Sequence, residues 1–264
     1  MSSSKNISYS DYLSLDLILE AQNPRSDAHD ELLFIIQHQT SELWMQLALH
    51  ELSAARQDLT NNKFKSSFKM LARVSRIFEQ LNNAWDVLRT MTPSEYTRFR
   101  DALGSSSGFQ SHQYRLIEFV LGNRNRTSLK VHRHTSNITA LLEEELKRPS
   151  LYHVAIGLLS EQTETSFNSA ALSKDQPHCS DSNITDAWAR VYENPTDFWD
   201  LYELAEKLVD LEDYFRRWRF NHVTTVERII GFKKGTGGTS GVTYLKQMLE
   251  VELFPELWNV RGKL

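Results

Sequence analysis

The chain is poor in the residues that make turns and cross-links. Its 264 residues include 10 glycines, 6 prolines and a single cysteine, Cys179. Few turn-formers disfavour collagen-like, disordered and many-stranded β architectures. One cysteine excludes an intramolecular disulfide and leaves a thiolate zinc site without partners. The first residues, MSSSKNISYSDYL, contain no apolar signal core. No apolar run approaches the roughly 18 residues of a membrane span. Charge is nearly balanced, 30 Lys and Arg against 34 Asp and Glu, so a polyanion such as nucleic acid is a poor partner. These absences predict a cytoplasmic globular protein with no membrane or nucleic-acid partner.

What is present reads as helix almost throughout. Leu32, Ile36, Leu43 and Leu47 recur at helical spacing within a Gly- and Pro-free stretch over 28–59. A second such run covers 64–91, with Phe68, Leu71, Ile77, Phe78, Leu81, Trp85 and Leu88. A third covers 196–230 and is stopped by Gly231. Thr92-Pro93-Ser94-Glu95 has the form of a capping box with Pro at the first helical position. Shorter helices are predicted over 110–121, 136–147, 150–159 and 242–251, and a Ser- and Asn-rich loop over 163–183. Runs this long pack as antiparallel bundles. With no repeat and no linker, the chain reads as one all-α domain over 1–264.

Familiar cofactor motifs are missing. No histidine has Glu three positions before it, as a di-iron bundle requires, and there is no H-E-x-x-H or C-x-x-C-H. Five glycines crowd between Gly231 and Gly241, but the cluster fits neither G-x-G-x-x-G nor a P-loop, and a helix precedes it. It reads instead as a flexible, ligand-touching loop. Two histidines lie in long apolar helices. His38 follows Phe34 by four residues, and His222 is flanked by Phe215, Trp218, Val226 and Ile229 at helical spacing. An imidazole in an apolar stripe suits axial ligation of haem iron; from spacing alone the commoner reading is a core histidine bonded to a carbonyl. Arg100, one turn after Tyr96, has the geometry to grip a carboxylate, or else to pair with a helix neighbour. Gly104 to Gly108 offers hydroxyls and free amides beside it, or a plain interhelix loop.

These segments together resemble the tryptophan 2,3-dioxygenase family. The resemblance runs through Tyr9-Ser10-Asp11-Tyr12-Leu13, His29-Asp30-Glu31-Leu32-Leu33-Phe34-Ile35-Ile36-Gln37-His38-Gln39 and Thr92-Pro93-Ser94-Glu95-Tyr96. It continues through Phe99-Arg100-Asp101, Ser107-Gly108-Phe109-Gln110-Ser111, Gln113-Tyr114-Arg115, Trp218-Arg219-Phe220 with His222, and Ile230 to Gly238. It implies an all-α bundle of long antiparallel helices enclosing a b-type haem, assembled as a homotetramer. It implies addition of O₂ to L-tryptophan to give N-formyl-kynurenine. By the same resemblance His222 is the proximal iron ligand, and His38 is the distal histidine facing the indole nitrogen. Phe34 lines the indole pocket within the Ile35-Ile36-Gln37 segment, and Arg100 and Tyr96 meet the carboxylate. Thr236 meets the amino-acid end, and Tyr9 and Tyr12 cover a neighbouring subunit's site. Trp85, Ser107 and Tyr114 fall at haem-pocket positions. Ser105 stands where the family has Pro in the Gly-Pro-Ser-Ser-Gly loop. That departure and the compact termini motivate a second reading, a haem oxygenase acting on a substituted tryptophan. A third is a haem sensor or carrier without turnover.

Overall fold

The computed structural model describes residues 6–168, 178–233, 235–236 and 241–264. Among the described residues every regular element is helical. Two short helices, α1 (Tyr9–Leu13) and α2 (Leu15–Leu19), precede the first long one, α3 (Glu31–Thr60). There follow α4 (Phe64–Leu88), α5 (Pro93–Phe99), α6 (His112–Leu121), α7 (Ser136–Lys147), α8 (Leu151–Thr163) and α9 (Ser182–Glu193). The chain ends with α10 (Trp199–Ile229), α11 (Val242–Leu249) and α12 (Pro255–Asn259). No helix among these residues is long and apolar enough to cross a membrane.

The three long helices stand where the Gly- and Pro-free runs predict them, with ends trimmed by local chemistry. α3 begins at Glu31 because that buried carboxylate accepts from the Arg25 amide at 2.8 Å and the Ser26 amide at 2.8 Å, folding 25–30 back as a loop. α5 carries the predicted capping box: Thr92 accepts from the Glu95 amide, and the Glu95 carboxylate accepts from the Thr92 amide at 2.7 Å. It ends at Phe99, and Arg100–Leu103 continues as a 3₁₀ turn. α10 stops where Gly231 adopts φ +67°, a left-handed conformation open to glycine. Of the predicted loop over 163–183, residues 169–177 lie outside the described residues.

α4 is the spine. Its Phe68, Leu71, Ile77, Phe78, Leu81, Trp85 and Leu88 are all buried, as their spacing predicts. α3 doubles back along it: Ser67 Oγ donates to Ala55 O and Arg73 pairs with Glu51, so numbers fall on one helix as they rise on the other. α10 packs on another side of α4 in the same direction. Arg76 meets Tyr214, Asn221 meets Asn82, and Arg228 donates to Arg89 O. The expected antiparallel arrangement therefore holds for α3 and α4, while α10 runs parallel to α4, because α5 to α9 carry the chain back between them.

On α3 the buried apolar side is Met45, Ala48, Leu52, Ala55 and Leu59. The stripe that announced the helix in the sequence points the other way: Leu32, Ile36, Leu43 and Leu47 are 44%, 43%, 50% and 37% exposed. Both stripes have helical spacing, and spacing alone does not say which one meets the core.

Candidate active site

The two helix-borne histidines approach each other from α3 and α10. His38 Nδ1 lies 2.7 Å from the Phe34 carbonyl, one turn back on α3. A carbonyl only accepts, so Nδ1 carries the proton and Nε2 is left with a free lone pair. Both readings of this histidine thus share one geometry: the ring is anchored to a carbonyl and still presents an acceptor. The Phe34 ring rests against it at 4.2 Å between centroids. Burial pushes the His38 pKa below its ordinary value, against the opposing pull of the Phe34 carbonyl and Glu42.

His222 sits in an aromatic wall. Trp85 stacks on it at 5.0 Å and 14°, and Trp218 leans on it at 5.6 Å. Tyr114 extends the wall, 5.2 Å from Trp218 and 5.9 Å from Phe215. Burial drives the His222 pKa down to about 4, and the nearness of His38 adds to the shift. Both imidazoles are therefore neutral at physiological pH, the form that ligates a metal or accepts a hydrogen bond.

Tyr96 on α5 and Arg100 at its C-terminal end come together as a pair. Tyr96 is 4% exposed, Arg100 lies against its hydroxyl, and burial raises the Tyr96 pKa while Arg100 opposes the rise. The Tyr96 ring is 6.1 Å from Phe34, which joins this pair to the His38 wall. Arg100 and Tyr96 also line a surface-open cleft of about 260 Å³, closed on its far side by Arg228, Ile229, Gly231 and Lys233 at the end of α10. The glycine cluster therefore begins at the rim of this cleft. Thr236 Oγ1 donates to Ser106 O at 2.6 Å, tying the cluster to the serine loop. At Gly241 a Cβ would stand 2.8 Å from Lys233 O, so only glycine allows the two strands of the loop to meet there. Residues 234 and 237–240, including Gly237 and Gly238, lie outside the described residues.

Other predicted residues take different places. Ser107 caps the 3₁₀ turn over Gly108–Gln110, accepting from the Phe109 amide. Gln37 is buried, while Ile36 is 43% exposed and lies roughly 200° around α3 from Phe34, away from the His38 wall. Ile35 is half-buried. Tyr9 and Tyr12 are 76% and 79% exposed on α1, which this chain does not fold against its own site.

Sequence reasoning missed a polar cluster behind the wall. Glu118 pairs with Arg115 at 2.6 Å and with Arg219 at 3.1 Å, and all three are buried. The signals were an arginine in the middle of an apolar helix and an Arg-Leu-Ile-Glu spacing suited to an i,i+3 pair. Gln113, which donates to Glu42 O at 2.9 Å and fixes α6 to α3 one turn beyond His38, was also silent.

The residues fit a flat aromatic cofactor with a metal at its centre. Two neutral imidazoles approach from different helices, the walls are aromatic, and the buried Trp85 Nε1 has no hydrogen-bond partner among the described residues, leaving a donor for a polar edge. Comparison with known proteins agrees. Residues 1–168 and 172–264 match the profile of tryptophan 2,3-dioxygenase. The chain is 66% identical over 265 residues to a tryptophan 2,3-dioxygenase of Ruegeria pomeroyi, covering 100% of this chain and 95% of the relative. It is 65% identical to one from Bradyrhizobium diazoefficiens (98% and 93% covered) and 58% identical to one from Pseudomonas aeruginosa (98% and 90%). The profile match, the full-length identity and the paired-imidazole site agree, and the chain belongs to the tryptophan 2,3-dioxygenase family.

Proposed function

We propose that the chain is a haem-dependent dioxygenase that adds both atoms of O₂ across the indole C2–C3 bond of L-tryptophan, giving N-formyl-L-kynurenine. The observation that carries this reading is the approach of two neutral imidazoles, His38 and His222, beside the Tyr96–Arg100 pair. The cofactor is haem b, one per subunit, with His222 as the iron ligand and Trp85, Ser107 and Tyr114 around it. When bound, ferrous haem supplies the dioxygen chemistry.

The protein's part is to bind, orient and keep water out. Arg100 pairs with the substrate carboxylate, and Tyr96 adds its hydroxyl; this contact sets which ring carbon meets oxygen. Phe34 packs on the indole, with Ile35 and Gln37 beside it on α3, while Ile36 faces away. His38 Nε2, unprotonated because Nδ1 is committed to Phe34 O, accepts from the indole N–H. Indole N–H is a far weaker acid than imidazolium, so His38 orients the ring and does not take the proton outright. Thr236 turns from the Ser106 carbonyl to the amino-acid end of the substrate.

A homotetramer accounts for the exposed apolar surface. Leu32, Ile36, Leu43 and Leu47 on α3, with Tyr9, Tyr12 and Leu17 on the N-terminal helices, form surface that a neighbouring copy would bury. In that assembly Tyr9 and Tyr12 cover the partner's site. The reading places the enzyme in the cytoplasm, with no membrane or nucleic-acid partner.

The test is formation of N-formyl-kynurenine, followed by its absorbance, when the ferrous protein is mixed with tryptophan and O₂. The second reading, oxygenation of a substituted tryptophan, rests on Ser105, whose carbonyl accepts from Gln110 in the loop that Thr236 grips. Turnover of ring-methylated analogues in preference to tryptophan, with one oxygen gained, favours it. A haem spectrum indifferent to tryptophan favours a sensor or carrier.

A further inference from the structure

Behind the His222 wall lies a charge cluster that the reaction does not use directly. Arg219 is one helical turn before His222 on α10 and 3% exposed. Every arm of its guanidinium is engaged. Nη2 donates to Glu118 Oε1 at 3.1 Å, Nη1 to Met248 O at 3.2 Å and Val251 O at 2.9 Å, and Nε to the Tyr114 hydroxyl at 3.3 Å. The guanidinium also lies over the Phe215 ring at 4.4 Å. Glu118, 2% exposed, accepts in addition from Arg115 Nη1 at 2.6 Å and Asn123 Nδ2 at 3.0 Å. Among the described residues Glu118 is the one carboxylate paired with either guanidinium. Tyr114, whose pKa burial pushes up to about 12, adds no negative charge. Two cations share one anion, so the buried cluster carries a net charge of +1.

We propose that the Arg115–Glu118–Arg219 cluster supports the iron ligand in two ways: Arg219 fixes the turn of α10 that presents His222, and the cluster's unbalanced positive charge favours the reduced state of the bound iron. This rests on the reading of His222 as that ligand. The positional argument follows from the contacts. Arg219 joins α10 to α6 through Glu118 and Tyr114, to the last turn of α11 through the Met248 carbonyl, and to the segment after α11 through the Val251 carbonyl. Tyr114, Phe215 and Trp218 form the ring stack that ends on His222. The charge argument follows from burial. Water screens these groups poorly, and a fixed positive charge lowers the energy of the iron state with one more electron.

The test is a reductive titration of the haem-loaded protein and three variants, with the ferrous iron–histidine stretching band recorded for each. Arg219→Gln removes a positive charge and lowers the midpoint potential; Glu118→Gln removes a negative charge and raises it. Arg219→Lys keeps the charge and loses the planar fork, so the potential stays near that of the unsubstituted protein while the band shifts and broadens. A merely structural role would move the two Gln variants in the same direction. Shifts of one sign, or none in either variant, overturn the electrostatic claim, and an unchanged band in Arg219→Lys overturns the positional one. If Arg219→Gln does not retain haem, Glu118→Gln decides alone, and a potential that fails to rise contradicts the proposal. His222→Ala separates this from the underlying reading: persistence of the band there removes His222 as ligand, whatever the other variants do.

Discussion

The Nδ1–H of His38 is held by the carbonyl of Phe34 at 2.7 Å, so the ring is fixed in one tautomer by its own helix. The orientation needs no second side chain, because residues four apart on a helix lie one above the other and the carbonyl of the earlier one points along the axis. The same bond makes Nε2 an acceptor. The role of His38 is therefore a consequence of backbone geometry at Phe34.

His38→Ala is expected to lower kcat/KM for tryptophan by about tenfold, the worth of one neutral hydrogen bond. A loss of a thousandfold or more would make His38 a proton-transferring base. The pH profile adds a sign. Burial holds the His38 pKa below 6.5, and the neutral ring is the working form. As pH falls, kcat/KM stays level down to about 6.5 and drops only below it, as the ring protonates. In His38→Ala that acid limb disappears.

On the proposed function Arg100→Ala removes the partner of the substrate carboxylate from the cleft that Arg100 and Tyr96 line. We expect kcat/KM to fall by about a hundredfold or more, with Arg100→Lys recovering only part, because an ammonium does not reproduce the bidentate fork. Tryptamine, which lacks the carboxylate, should discriminate little between the parent and Arg100→Ala. A large further loss with tryptamine would assign Arg100 a structural role.

Glu212 ties α10 to the start of α12 through hydrogen bonds to groups outside the candidate site. Fully buried on α10, its carboxylate accepts from the Leu253 amide at 2.6 Å, the Phe254 amide at 2.9 Å and Trp258 Nε1 at 2.8 Å. Glu212→Ala strands three donors at the base of α12. The expected cost is about 3 kcal/mol and a Tm lower by roughly 10 °C in a thermal melt. A Tm within about 2 °C of the parent would mean water replaces the carboxylate.

The exposed α3 stripe predicts the state of assembly. Leu43→Glu, at a position 50% exposed in the single chain, places a charge in a face that a second copy would cover. Sedimentation should show a shift from tetramer to smaller species, with helicity unchanged. A parent that sediments as a monomer contradicts the assembly outright.

Much of this was legible in the sequence, for physical reasons that differ by element. α4 was read correctly down to its buried residues because its apolar positions form one stripe and the other sides are polar. The spacing on α3 predicts a helix, but its most regular leucine and isoleucine stripe faces away from the core. Two apolar stripes on one helix satisfy the same periodicity, and only the packing of α4 against Ala48, Leu52 and Ala55 chooses between them. The parallel course of α10 beside α4 was invisible, because direction depends on how intervening helices return the chain. His38, His222, Arg100 and Tyr96 are singled out by residue type and spacing together with family resemblance, and the structure brings His38 near His222 and Arg100 against Tyr96. The Glu118–Arg219 pair spans α6 and α10, and no local pattern links positions so far apart in sequence.

The central claim is that both atoms of one O₂ molecule enter tryptophan at this site. Mass analysis of the product formed by the ferrous, haem-loaded protein from tryptophan and isotopically heavy O₂ tests it most directly. The expected product is an N-formyl-kynurenine carrying two heavy oxygen atoms. A product with a single heavy oxygen, or no turnover by protein fully loaded with haem, would contradict it.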